Sequence, residues 1–435
     1  MTNGRCSLAR SGATKESSWI TPARFAPLVM TIVHIIRAIG VSSFFPFLQR
    51  SRSCWMAAVM GAGSSSLWSA EATAIFEAMR LSAEGVVAVA QDDAASAVAK
   101  FEAASALRPD VPEYLAKLAA AQVAADQLVD AEATLQRLSA LGLGFPEREA
   151  DALSAVRKQP EFAAVMKQFA ANVRSKGSGD LAFALRDVTG LIEGMAWRAS
   201  TGEFYFGDVN SRAVWMRNKD NTLRRFTPEG DELLGVLGLA VDEATGSLWA
   251  ATSSVRAMRG YTPEQEGAAE LVELDLASGA IRRTLPITVK PGGTPAHLLG
   301  DLAIAEDGSI FVTDSGEPVI WYLPRGAAAL ERWVESPEFI SLQGIVVLPG
   351  ALIVADRVNG LLRVDLSRRT VGLLPSPPDV TLVGIDGLVL GPDGHLLAIQ
   401  NGVNPTRVLR IQMEPDGAGV AAVTVLESGH LTICL

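Results

Sequence analysis

The 435-residue chain has only three cysteines, Cys6, Cys54 and Cys434. They lie so far apart that neither a disulfide framework nor a Cys-x-x-Cys metal knuckle can be built from them. Basic charge is also in short supply. The chain carries 38 Lys and Arg against 48 Asp and Glu, a net charge of -10. No basic surface is available for a phosphate backbone, which excludes a nucleic-acid partner, and the acidity itself serves solubility. A clean membrane span is missing too. The most apolar stretch, Leu28 to Leu48, is interrupted by His34, Arg37 and Pro46, which speaks against a transmembrane helix. What remains is a chain 49% hydrophobic, able to bury large cores and too long for one ordinary domain, so two domains are expected.

One stretch sets the grammar of the second half: HLLGDLAIAEDGSIFVTDSG, from His297 to Gly316. It reads as a short apolar strand, a turn at Asp307 and Gly308, and a second strand from Ile310 to Thr313 that ends on Asp314, a hairpin. Four further stretches repeat it: EGMAWRASTGEFYFGD from Glu193, LGLAVDEATGSLWAAT from Leu237, QGIVVLPGALIVAD from Gln343 and DGLVLGPDGHLLAIQN from Asp386. The copies begin at Glu193, Leu237, Gly300, Gln343 and Asp386, in steps of 44, 63, 43 and 43 residues. That is the period of a β-propeller blade, with an insertion near residues 254–270 accounting for the long step. A third and a fourth apolar segment follow each hairpin, giving four short strands per repeat. LAFALRDV, residues 181–188, precedes the first copy and is expected to complete the last blade and close the ring. HLTICL at the C-terminus has room for one strand of a sixth blade, so the alternatives are a five-bladed ring and a six-bladed propeller whose last blade is truncated, and the latter is the expected fold.

Innermost propeller strands run along the axis, so the five first residues should ring one hub. Beside them stand Gly194, Gly238, Gly344 and Gly387, with Asp301 in the fifth such place. The glycines suit the crowding of backbones near the axis. Through EGMAW, GDLAIAEDGSIFVTDS, QGIVV and DGLVLGPDG, residues 181–435 resemble the senescence marker protein, gluconolactonase and regucalcin family. The resemblance implies a divalent cation, often calcium, at the tunnel mouth, held by Glu193, Gln343 and Asp386. Glu193 and Asp386 match the family's two acids, Gln343 stands where its metal-binding Asn is expected, and Gly300 stands where its substrate-binding Asn belongs. Two carboxylates and an amide oxygen suit a hard cation. Such an ion would activate water and polarise a lactone carbonyl, with Asp386 as catalytic carboxylate. His297, one of only four histidines, is a further catalytic candidate as a general base near the mouth; the alternative is a solvated loop residue with no fixed acid partner. Asp208, Asp314 and Asp356, each closing a second strand, are expected to fix turns. Trp197, Trp215, Trp249, Trp321 and Trp333 are expected to pack between blades.

The first half is different. Residues 1–72 read as a leader: RSRS from Arg50 is a basic region, CWMAAVMGAG a short apolar run, and Ala70-Glu71-Ala72 a cleavage site, the anatomy of a secretory signal peptide. An uncleaved membrane anchor or a disordered leader are the alternatives. Residues 73–175 turn to helical periodicity, with Ala97, Phe101, Ala104 and Leu107 on one face, a capping box at Asp110 and Glu113 with Pro112 inside the first turn, a third helix near Leu128 to Leu141, and two more near 146–158 and 160–174. Ala97 with Phe101, and Ala131 with Leu135, repeat at a spacing of 34, which resembles a tetratricopeptide repeat. Residues 176–180 read as a flexible linker. The chain is therefore expected to be multidomain, all-α helical repeats followed by an all-β propeller. Its expected function is that of an exported, periplasmic or secreted lactonase-type hydrolase. Its partner is a small-molecule substrate, with a possible protein partner on the helices and no membrane in the mature form. The alternative is a non-enzymatic propeller that binds a ligand or protein.

Overall fold

The computed structural model describes residues 70–177, 179–180, 182–185, 190–230, 233–287 and 297–429. The basic and apolar parts of the leader lie outside these residues; Ala70, Glu71 and Ala72 open the first helix. Among the described residues no helix is long and apolar enough to cross a membrane.

Five α-helices come first among the described residues: α1 (Ala70–Ala90), α2 (Ala94–Leu107), α3 (Pro112–Ala124), α4 (Leu128–Ala140) and α5 (Ala163–Asn172). Each of the first four packs on the next, and small residues permit the close approach. Ala97, Ala104, Ala119 and Ala131 are fully buried, and a Cβ on Gly85 would meet the Phe101 ring at 2.6 Å. Both small-large pairs, Ala97 with Phe101 and Ala131 with Leu135, sit in the helical core. Two expectations fail here. Asp110 does not cap α3: its carboxylate is taken by Arg108 at 2.9 Å, and Val111 is the residue before the first turn. Residues 146–158 form a short 3-10 turn (Glu147–Glu149) and irregular turns instead of a helix, with Ser154 Oγ donating to the Asp151 carbonyl at 2.7 Å. Such local bonds compete with the helical ladder, yet Leu153 and Val156 still reach the core.

Among the described residues the propeller has five four-stranded antiparallel blades, each with its strands in chain order. Blade 1 is β1 (Ile192–Arg198), β2 (Glu203–Asp208), β3 (Ala213–Arg217) and β4 (Leu223–Arg225); blade 2 is β5 (Gly235–Asp242), β6 (Ser247–Ser253), β7 (Ala269–Asp275) and β8 (Ile281–Pro286). Blade 3 is β9 (Leu299–Ile304), β10 (Ile310–Asp314), β11 (Val319–Leu323) and β12 (Glu331–Glu335); blade 4 is β13 (Leu342–Leu348), β14 (Ala351–Asp356), β15 (Gly360–Asp365) and β16 (Val371–Leu374). Blade 5 is β17 (Ile385–Leu390), β18 (Leu396–Gln400), β19 (Arg407–Met413) and β20 (Val420–Ser428). The second strands read as unbroken apolar runs because both their faces are covered: every residue of β10, β14 and β18 is buried. The expected insertion is the β6–β7 connection.

Four apolar cores join neighbouring blades, from blades 1 and 2 round to blades 4 and 5. Trp249, Trp321 and Trp333 belong to them, as expected. At the hub β1 packs on β5, β5 on β9, β9 on β13 and β13 on β17. Among the described residues no comparable packing joins β17 to β1. On that side blade 1 presents Phe204, Phe206, Met195 and Trp215, covered by Phe183 and Leu185 from the segment before β1, while Trp197 stays 45% exposed. Residues 182–185 are thus not the expected closing strand. Blade 5 already supplies its own fourth strand, so the apolar side chains of the segment cover blade 1 instead.

The expected flexible linker is also docked. Lys176 pairs with Ser428 on the free edge of β20 through both backbone bonds, 2.9 and 3.0 Å, and Gly179 N donates to Glu427 at 2.8 Å. The described residues among 175–185 therefore link the last blade to the first as a strap. The helices brace the same side of the ring: Arg108 donates to the Asn359 carbonyl at 2.9 Å, Gly144 N to the Asn404 carbonyl at 2.7 Å, and Val383 and Val403 join helical cores.

Candidate functional site

Each inner strand carries one extra residue where the repeats begin. The register slips between Ile192 and Met195, Val236 and Gly238, Ile385 and Gly387, Leu342 and Ile345, and in blade 3 opposite Val312 and Asp314. Glu193, Leu237, Gly300, Gln343 and Asp386 all lie in these bulges. A β-bulge bends its strand and re-aims a side chain, so the fold turns this position of every blade in the same way.

The adjacent glycines show how tightly the inner strands nest. A Cβ on Gly194 would lie 2.1 Å from the Leu237 carbonyl oxygen, on Gly238 2.9 Å from that of Gly300, and on Gly344 2.4 Å from the Leu388 nitrogen. Gly387 is exposed, with nothing within 4 Å among the described residues, because it faces the seam. Asp301 replaces the fifth glycine and uses its carboxylate as backbone: its two oxygens accept from Leu302 N at 2.9 Å and Ile345 N at 3.4 Å.

The hub's charged groups meet across the seam. Asp386 of blade 5 lies 3.4 Å from the Arg357 guanidinium, Arg357 donates to Asn401 Oδ1 at 2.8 Å, and Asn401 Nδ2 donates back to Asp386. Glu193 of blade 1 faces this triangle. Burial, and after it the charge of Asp386, push its carboxyl up to about 8, against the opposing pull of Arg357. Burial likewise pushes Asp301 up to about 7, with its two amide bonds opposing and Asp386 adding a little. Glu193 and Asp386 are thus brought together. The amide of Gln343 is turned to its own strand, Nε2 donating to Ser341 Oγ at 3.2 Å, and Gly300 supplies no side chain.

The repeat pattern gives Arg357 and Asn401 no role, yet they occupy one repeat position: each directly follows the last residue of a second strand, as Val209, Ser254 and Ser315 do in the other blades. The fifth repeat already ends on Asn401, and the fourth, extended by one residue, places Arg357 beside it. Their presence decides the fit of a divalent cation. Among the described residues no three His, Cys, Asp or Glu side chains are grouped to hold a metal ion, and a guanidinium already neutralises Asp386. The donors as arranged do not fit such an ion.

His297 lies elsewhere. It is 5% exposed, its Nδ1 is 2.7 Å from Asp314 Oδ2, and its ring meets Trp321 edge-on at 5.7 Å. It lines an off-axis pocket of ≈ 200 Å³ between outer strands of blades 2 and 3, with Ile287, Glu317, Trp321, Leu330 and Arg332. The solvated-loop alternative for His297 is therefore overturned, and its fixed acid partner is Asp314. That aspartate also accepts from Leu298 N, Gly316 N and Glu317 N. Asp208 and Asp356 hold their turns in the same manner.

No protein-family model matches the chain, and no curated protein does. Solved structures with a similar chain path include a gluconolactonase of Xanthomonas campestris, at 17% identity and a TM-score of 0.39, over 55% of this chain and 75% of that one. A streptogramin B lyase is similar at 16% identity and a TM-score of 0.37, over 54% and 67%. A chain of a nidogen–laminin complex is similar at 12% identity and a TM-score of 0.39, over 54% and 80%. These likenesses concern the course of the chain, and any functional argument rests on the hub.

Proposed function

We propose that the hub is the active site of a lactonase-type hydrolase acting on lactones or related small esters. The observation that carries this reading is the half-buried Glu193, its carboxyl's affinity for a proton raised, set against the fixed Arg357, Asp386 and Asn401. A base with a pKa near the working pH serves proton transfer best. In this reading Glu193 takes a proton from water as the water oxygen bonds to the carbonyl carbon. The Arg357 guanidinium stabilises the negative charge that develops on the carbonyl oxygen. The ring C–O bond then breaks, and protonated Glu193 returns its proton to the departing alkoxide. Asp386 and Asn401 hold Arg357 in place. A divalent cation such as calcium on Glu193, Gln343 and Asp386 is the rival electrophile; it requires Arg357 to leave Asp386.

The six-bladed plan belongs to the same reading, the exposed Trp197 of blade 1 and the uncrowded Gly387 being what a sixth blade position would adjoin. So do export by the leader and the tetratricopeptide-like role of the helices. The non-enzymatic alternative, a binding propeller assembled through its helices, draws on the exposed Val86, Val87, Val89 and Val129.

A lactone and small-ester panel, assayed with and without chelator, tests the proposal. Hydrolysis is expected to survive chelator, to rise with pH about a midpoint near 8, and to fall about 100-fold in Glu193→Gln and in Arg357→Met. Loss of activity on chelation, restored by calcium, would return the electrophile to the cation. Failure of the whole panel would leave the binding reading.

A further inference from the structure

A second polar site lies where the end of α4 meets blade 5. Arg407, the first residue of β19, is 5% exposed. Its Nε donates to Gln400 Oε1 at 2.9 Å and its Nη1 to the Leu141 carbonyl at 3.0 Å. Among the described residues its Nη2 is buried without a partner. Both oxygens it does reach are neutral, and the second amide group of Gln400 is committed to the Thr381 and Val383 carbonyls at 2.9 and 2.7 Å. A buried guanidinium normally has a carboxylate beside it, since an unpaired buried charge is costly. Here burial alone acts on it, lowering its pKa to about 10.

Arg407 lines a pocket of ≈ 130 Å³. The wall is otherwise mainly apolar, from Leu141, Val380, Leu409, Val423 and Val425, with Thr381 and the exposed Asp379 as its other polar side chains. Thr381 Oγ1 accepts from Val383 N at 3.2 Å. Arg407 thus brings a guanidinium with one nitrogen unspent to the wall of a half-open, mainly apolar pocket the size of a few carbon atoms.

We propose that this pocket binds a short aliphatic monocarboxylate, of two to four carbons, whose carboxylate accepts from Arg407 Nη2 and whose alkyl end fills the valine and leucine wall. A charged hydrogen bond to the orphaned nitrogen supplies the missing counter-charge, and the apolar wall favours an alkyl acid over a compact oxyanion. Asp379 acts in the same direction, because its charge opposes a phosphate dianion more than a monoanion. The wall draws on both the helical segment and blade 5, so the ligand fastens one to the other. This inference is independent of the hub.

Thermal unfolding of the full chain in acetate, propionate, butyrate, inorganic phosphate or chloride at matched ionic strength is the test. Butyrate at about ten times its dissociation constant should raise Tm by about 3 °C, propionate and acetate progressively less, and phosphate no more than chloride. Arg407→Met should remove the response. Should that variant fail to fold, Val425→Phe, which fills the pocket from a position 39% exposed and leaves Arg407 intact, should remove it as well. Absence of any carboxylate-specific rise in the wild type would overturn the proposal. A rise that persists in the substituted chain, or a phosphate response equal to that of butyrate, would do the same.

Discussion

Glu193 is the residue whose chemistry depends most on its surroundings. Its carboxyl, ordinarily near 4.5, is held up to about 8 by burial and by Asp386. The folded state therefore keeps a proton that the unfolded chain has released, so this group's contribution to stability is complete below about 4.5, declines as pH rises and is gone above about 8. Glu193→Gln should flatten the fall of unfolding free energy across that window by close to one proton's worth, leaving a comparable slope from Asp301 that ends at about 7, and denaturant titrations at several pH values will read this. At this scale the repeat grammar picked out Glu193 and Asp386 as neighbours although 193 residues separate them. It did not reveal Arg357, because a single arginine after a strand has no local signature. Nor could it reveal the burial of His297 against Asp314, since the pairing depends on how a loop returns to its blade.

The bulged inner strand is the element on which the hub depends, and its glycines report the spacing of blades. Gly194→Ala and Gly344→Ala drive a methyl group into the next strand's backbone and should cost about 2–3 kcal/mol each. Gly387→Ala meets open space and should be neutral or stabilising by about 0.5 kcal/mol. Urea unfolding of the three variants distinguishes a crowded junction from an open one. Strand order, hairpin turns and the five repeat starts were all legible from alternation and turn residues, which act locally. The fate of residues 146–158 was not, because Pro146, Pro160 and side-chain bonds to backbone outweigh an apolar period that would suit a helix. The path of the strap was likewise hidden: SKGSGD has a linker's composition, and only the free edge of β20 gives its backbone somewhere to bond.

Across the whole molecule, four junctions are closed by apolar cores and the fifth by the strap. Phe183 is its anchor, with its ring 5.3 Å from Phe204 and 6.0 Å from Phe206, and the Arg217 guanidinium 3.9 Å above it. Phe183→Ala removes half-buried apolar surface and should destabilise the chain by about 2 kcal/mol. In hydrogen exchange the loss should centre on blade 1, with the amides of β1 and β2 exchanging before those of β10 and β14. Uniform acceleration across all blades would contradict a seam at this junction.

That seam lies between the two carboxyls of the hub. Glu193 belongs to the first blade and Asp386 to the last, so the distance between them is set by how firmly a short stretch of polypeptide clasps the two ends of the ring. A looser clasp parts the acids, lets water in and returns Glu193 toward an ordinary carboxylic acid. A tighter one deepens its hold on the proton. The strap thus works as a tuning peg for an acid on the axis, and changes at Lys176 or Phe183, at the rim of the molecule, should register as a displaced titration at its centre.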